Sequence, residues 1–166
     1  MTLTAPQAKE RLLGAWQLLS FTTTLTTSSG ATIRQPMGDN PLGRLLFTPD
    51  GWISTFGNDS SNMIAPSGPW ITATDAELAL VARCMMSYIG KYKIFVVGDG
   101  EVRLSTEVHV SLDPSWVGTT QERKVELRVE EGRELVVLSP VEDLPAPGGG
   151  KGTAVLVWEK ILSNKC

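Results

Sequence analysis

Most of the side chains in this chain that could do chemistry together lie between Tyr88 and Arg123. His109 is the sole histidine, and the only side chain whose ordinary pKa sits near neutrality, which makes it the first candidate general acid or base. Tyr92 is a second candidate proton carrier, because a phenol can anchor a carbonyl oxygen or pass a proton. Arg123 could stabilise negative charge developing on an oxygen, with Tyr88 and Gln121 as further polar contacts. Trp52, Trp70 and Trp116 are flat and apolar, suited to stacking on an aromatic or polycyclic ligand. Together these residues describe a site for a small organic molecule.

Strand periodicity says which of them can meet. From Val102 to Leu112 the apolar residues alternate with Arg103, Ser105, Glu107, His109 and Ser111, so an apolar lumen would turn His109 outward beside Glu107. A polar lumen would turn it inward, and the sequence leaves both open. Gln121, Arg123, Val125, Leu127 and Val129 share a face opposite five charged residues, so Arg123 is expected to point inward near a rim. An inward arginine needs an acceptor: either a ligand oxygen or a carboxylate such as Asp113 or Glu107. Tyr88 and Tyr92, four apart, share a face if extended; their hydroxyls either contact ligand or bond backbone. Trp116, in a turn, belongs at a barrel mouth, as a stacking platform or as a plug on that turn.

The elements that position these residues read as mainly β. Ala5 to Leu13 can form a short helix with Pro6 near its start. Strand-like segments follow at Trp16 to Thr24 and around Ile33. Gly43 to Thr48 and Trp52 to Phe56 flank Pro49-Asp50-Gly51, a strong hairpin signal. The polar stretch Gly57 to Trp70 resembles a flap. Thr74 and Glu77 form a capping box, and Leu78, Val81, Ala82, Met85 and Met86 recur at helical spacing, so a helix is expected to run to about Gly90, with Cys84, Met85 and Met86 as its core contacts. Four strands then form a meander over Lys91–Val97, Glu101–Leu112, Thr119–Glu130 and Glu134–Leu138, joined by short turns. A flexible segment from Pro140 to Gly152 and a last strand from Thr153 to Ile161 complete the chain. The expected architecture is an up-and-down antiparallel barrel of about eight to ten strands, with a short N-terminal helix and one helix inserted near residues 75–88, as one domain over 1–166.

Composition narrows the function classes. At 166 residues, 42% hydrophobic and 20% charged, with a formal net charge of -3, the chain has the make-up of an ordinary globular domain and no basic footprint for nucleic acid or anionic lipid. No apolar run is long enough for a membrane helix, and Met1 to Arg11 lacks the order of a signal peptide, so a cytoplasmic protein without a membrane partner is expected. Cys84 and Cys166 make no disulfide framework, and one histidine offers little for a transition metal, so neither metal nor cofactor is expected. Gly148-Gly-Gly-Lys-Gly-Thr153 lacks phosphate-loop spacing and precedes a strand, which leaves it a loop. Gly98-Asp-Gly100 is a hairpin turn, since no helix follows it.

Several motifs taken together resemble the lipocalin-like domain family of bacteria and fungi. They are Leu13-Gly-Ala-Trp16, Gly43-Arg-Leu-Leu-Phe-Thr-Pro-Asp-Gly51, Tyr88-Ile-Gly-Lys-Tyr92, the lone His109, and Pro114-Ser-Trp-Val-Gly118 with Gln121 and Arg123. The resemblance runs from about Leu12 to Ile161 and implies a calycin-type barrel. It also implies that Gly14-x-Trp16 plugs the closed end, with Lys160 covering Trp16 by a cation–π contact, and it draws His109 into the site because His109 lies within the most recognisable motif. Gly57 to Trp70 matches no motif of the family. Fungal relatives of this kind sit in natural-product biosynthesis, and some such barrels act as cofactor-free cyclases or isomerases.

The leading expectation is therefore a cofactor-independent cyclase, isomerase or dehydratase acting on a hydrophobic intermediate. His109 or Tyr92 would move the proton, Arg123 would stabilise the oxyanion, and Trp116 or Trp52 would stack on the substrate. The alternative is a non-catalytic carrier of an apolar metabolite. A barrel with a filled core would instead point to an interaction module, and a homodimer through a sheet face fits either small-molecule role.

Overall fold

The computed structural model describes residues 3–146 and 150–162. Ten strands form a single sheet in the order β2-β1-β3-β4-β5-β6-β7-β8-β10-β9, and the pairing of β1 (Gly14–Thr27) with β10 (Gly150–Lys160) closes it. Eight of them make a closed antiparallel barrel. These are β1, β3 (Leu42–Phe47), β4 (Trp52–Asn58), β5 (Met85–Val97), β6 (Glu101–Ser111), β7 (Thr120–Glu130), β8 (Arg133–Pro140) and β10; β2 (Gly30–Arg34) and β9 (Leu144–Ala146) extend the edges of β1 and β10. Closure leaves no long unpaired edge among the barrel strands.

Local chemistry explains the joints. Gly51 takes a φ of 88° in the β3–β4 turn, while Thr48 accepts the Trp52 amide on its hydroxyl at 2.9 Å and donates its own amide to the Trp52 carbonyl. Glu131 and Gly132 both have positive φ between the paired residues Glu130 and Arg133, the backbone of a tight two-residue hairpin. The segment expected to be a flexible loop from Pro140 to Gly152 is largely sheet: β8 reaches Pro140, and β9 pairs with β10 from Gly150. The glycines at 148 and 149, and Cys166, lie outside the described residues.

One end of the barrel is closed by α1 (Ala5–Leu12), whose capping box joins Thr4 and Gln7. Ala8 and Leu12 are fully buried against the barrel. Beneath them Trp16 is also fully buried, donates its indole N–H to the Leu12 carbonyl at 2.8 Å, and lies under Lys160 Nζ at 5.3 Å from the ring centroid. The plug and its cationic cover are as the family resemblance implied. Tyr92 belongs to this end too: its ring meets Phe47 edge-on at 5.1 Å, and its hydroxyl donates to the Thr48 carbonyl at 3.0 Å.

The inserted helix, α2 (Asp75–Arg83), is shorter than its hydrophobic spacing predicts. Cys84 caps it, and Met85 and Met86 already belong to β5, which pairs with β4 over seven consecutive positions from Trp52–Lys91 to Asn58–Met85. Residues 59–73, between β4 and α2, are tied at their start and again at Ser67. The Asp59 amide donates to the Cys84 carbonyl at 2.8 Å, and Glu77 accepts the Ser67 amide at 2.9 Å besides completing the capping box with Thr74.

These backbone and hydroxyl donors hold the Glu77 carboxyl down at about 2, from an ordinary value of 4.5. A depressed carboxylate pKa adds stability above the unfolded value, and that stability fades as pH falls from about 4.5 towards about 2. Pepsin cleavage within residues 59–73 is therefore expected to accelerate across that window in the wild type. In Glu77→Ala it is expected to be fast throughout, with the barrel strands uncut in both. Equal cleavage of the two proteins at pH 4 would show that this tether does not hold the segment.

Candidate functional site

The lumen beyond the closed end is hollow. A cavity of about 450 Å³ is lined by side chains from β1, β3, β4, β5, β7, β8 and β10 and by Trp116. Most of the lining is apolar and aromatic, with Phe21, Leu45, Met86, Leu138, Leu156 and Trp158 forming walls and floor. Its size falls within the ordinary range for small-molecule sites, about 300–1,000 Å³.

Three of the expected site residues reach the cavity from strands. Tyr88 enters from β5, and Gln121 and Arg123 from β7. Trp116 closes one side of the mouth from a single 3-10 turn, Pro114–Trp116, capped by Asp113, which accepts the Ser115 amide at 2.9 Å. The Trp116 and Tyr88 rings lie 5.7 Å apart at 53°. Burial raises the Tyr88 pKa, and nearby Arg123 opposes that rise. The phenol therefore stays protonated at neutral pH, able to donate to a ligand oxygen.

Arg123 points inward, as the β7 alternation predicts. Its Nη1 donates to the Glu122 carbonyl at 2.7 Å, and among the described residues it forms no ion pair. Asp113 bonds within its own turn, and Glu107 faces His109. Neither carboxylate considered as a partner for Arg123 takes that place, so the guanidinium meets the cavity as a cation.

The remaining expected residues lie elsewhere. His109 is outside the barrel, its side chain 42% exposed, with Nε2 3.8 Å from Glu107 and its ring edge-on to Trp52 at 5.2 Å. It is the residue skipped where the β5–β6 register shifts: Ile89 pairs with Val110, and Gly90 with Val108. Trp52 is on the same outer face under Lys91, whose Nζ lies 4.2 Å from the ring centroid. Trp70 is 74% exposed in a short 3-10 turn, and no residue of 59–73 lines the cavity. Tyr92 shares the inner face with Tyr88, but its hydroxyl is consumed at the closed end. Thus His109 and Tyr92, the two proton carriers expected from sequence, both lie outside the cavity lining.

Sequence reasoning missed Thr55 and Trp158. Both line the cavity and both are buried, at 3% and 1% exposure. Thr55 Oγ1 and Trp158 Nε1 are the buried side-chain polar atoms without a hydrogen-bond partner among the described residues. The alternation in β4 hides Thr55, because Trp52 and Phe56 look like the inward face. In β10 both faces are apolar, so period two gives no contrast that would single out Trp158.

A closed eight-stranded antiparallel barrel, plugged at one end by a tryptophan under an N-terminal helix and hollow at the other, is a protein of the lipocalin class. The chain belongs to the lipocalin-like domain family, whose sequence model matches residues 13–161. It is also similar to the 4'-hydroxy-3'-methoxypropiophenone carrier protein ppsC of Aspergillus oryzae, at 30% identity over 111 residues, which make up 61% of this chain and 96% of that protein. No helix among the described residues is long and apolar enough to cross a membrane.

Proposed function

We propose that this protein binds and carries a small aromatic molecule bearing oxygen substituents, of the phenolic aryl ketone type. The observation that carries the reading is Arg123, a cation without an ion-pair partner among the described residues, set in a mostly apolar and aromatic lumen. Arg123 is half-buried at the cavity, and no carboxylate among the described residues has claimed its guanidinium, so it is free to pair with a ligand oxygen that enters the lumen. Tyr88, Gln121 and Trp116 surround the same ligand, and the relative named as a carrier of an aryl ketone supports this chemical class.

A second reading, a cofactor-free isomerase, cyclase or dehydratase, is favoured by one specific pairing. Tyr88, a phenol that is protonated at neutral pH, and Arg123 line the same cavity and have the functional groups for proton donation and oxyanion stabilisation. In that reading Tyr88 takes the role first expected of His109 or Tyr92.

Titration with 4'-hydroxypropiophenone, followed by tryptophan fluorescence and then by chromatography of the recovered ligand, separates the readings. A carrier gives saturable binding and returns the ligand unchanged; in D2O, a protein-dependent gain of mass through exchange of the ligand's α-CH2 protons for deuterium would favour the enzyme. Arg123→Met is expected to weaken binding by about 10- to 100-fold, the range for losing a hydrogen bond from a charged group. Unchanged affinity in Arg123→Met would remove the arginine from the site.

A further inference from the structure

We infer that the inner end of the cavity is a specific seat for a hydrogen-bond acceptor oxygen, the carbonyl of an aromatic ketone, held by Trp158 Nε1 and Thr55 Oγ1. The inference rests on the binding reading above and adds the orientation of the ligand and the groups that select it. Two observations support it. Among the described residues, both buried side-chain polar atoms that lack a partner belong to residues lining this one cavity. Native proteins satisfy nearly all such atoms, so a pair of unmet groups in one lumen marks a place where something else supplies the partner.

Their placement in the sheet is mutually consistent. Thr55 pairs with Leu45 on one side and with Tyr88 on the other. Trp158 reaches over Gly43, where a Cβ would come within 3.3 Å of its Cζ3. Gly43 is two residues before Leu45 on the inner face of β3, hence diagonal to Thr55 across the β3–β4 pair, so the Trp158 ring lies on the Thr55 side of the lumen. An indole N–H can only donate, and a threonine hydroxyl can donate as well. Two unmet donors on one lumen fit a carbonyl oxygen, which has two lone pairs to offer. The apolar and aromatic walls take the ring, and the oxygenated end of the ligand is left to Arg123 and Gln121.

The test compares propiophenone with propylbenzene, which has a similar shape and no oxygen, by calorimetric titration of the wild type, Trp158→Phe and Thr55→Val. The wild type is expected to prefer the ketone by about tenfold or more, the value of one well-made hydrogen bond. Trp158→Phe should bring that preference close to unity while keeping its affinity for propylbenzene. Thr55→Val should lower the preference without repacking the floor, and decides the matter if Trp158→Phe does not fold. Equal binding of both probes by the wild type, or a ketone preference that survives in the folded variants, would overturn the acceptor seat and leave the binding reading intact. Binding of neither probe would overturn both.

Discussion

Trp16→Ala is expected to lower the free energy of unfolding by about 3–5 kcal/mol, the range for truncating a fully buried large aromatic. Three losses combine at this position. The indole fills the closed end with no exposure, its N–H satisfies the Leu12 carbonyl at the end of α1, and its face meets Lys160. Leu12 loses a packing surface and a donor together, so α1 should loosen in the same step. Small domains hold only about 5–15 kcal/mol in total, so the variant should unfold at much lower urea and melt many degrees earlier. Trp16→Phe keeps most of the volume and should cost about 1–2 kcal/mol, mainly the hydrogen bond. A Trp16→Ala protein within 1 kcal/mol of wild type in a urea titration would mean that the closed end does not hold the barrel shut.

Gly90→Ala should come close to this in size and differ in kind. The Gly90 backbone requires no unusual dihedral; what it lacks is space. A Cβ there would sit well inside contact distance of the Glu107 carbonyl oxygen and 2.9 Å from both its carbon and Thr106 Cγ2. The obstacle is mostly backbone in a paired strand, so the sheet itself must move, and a cost of about 2–3 kcal/mol, the upper part of the overpacking range, is expected. The strain falls beside the register shift that sets the end of β6, so Ser111, Leu112 and the Trp116 turn should shift with it. Gly132→Ala provides the contrast: its φ is 78° but nothing lies within 4 Å of an added Cβ, so it should cost about 1 kcal/mol and leave the mouth in place. Denaturation of both variants, with Trp116 fluorescence as the local probe, checks the pair. Equal costs would show that crowding at Gly90 is relieved without moving the strands.

Much of the fold was legible because its signals are local. Pro49-Asp50-Gly51, the Thr74–Glu77 capping box and the short joints of the meander each fix a few backbone dihedrals without help from distant residues. The length of α2 was not legible. Leu78 to Met86 carries a helical spacing, while Met86, Tyr88, Gly90 and Tyr92 carry a strand spacing that overlaps it, and the seven-position ladder with β4 decides between them. Part of the site was legible for the same reason that Arg123 was: β7 sets charged residues against apolar ones, so its inner face is marked. Trp52 was misplaced because large aromatics read as inward, whereas here Lys91 covers the ring on the outer surface. Thr55 and Trp158 line one cavity only through barrel closure, a pairing of strands more than a hundred residues apart along the chain.

The register shifts at the waist of the barrel bear on how this fold can change length. In β1 the pairing skips Leu19, and in β6 it skips His109. Trp16 and Leu18 face inward before the first skipped residue, and Phe21 and Thr23 after it. Each bulge thus absorbs one surplus residue between the plugged half and the hollow half. Losing Leu19 or His109 would regularise a strand without exchanging inside for outside, whereas a one-residue deletion elsewhere in the same strands would invert the lumen lining from that point on. The waist is therefore where lineages of such barrels can gain or lose a codon at little cost, and where natural length differences should gather.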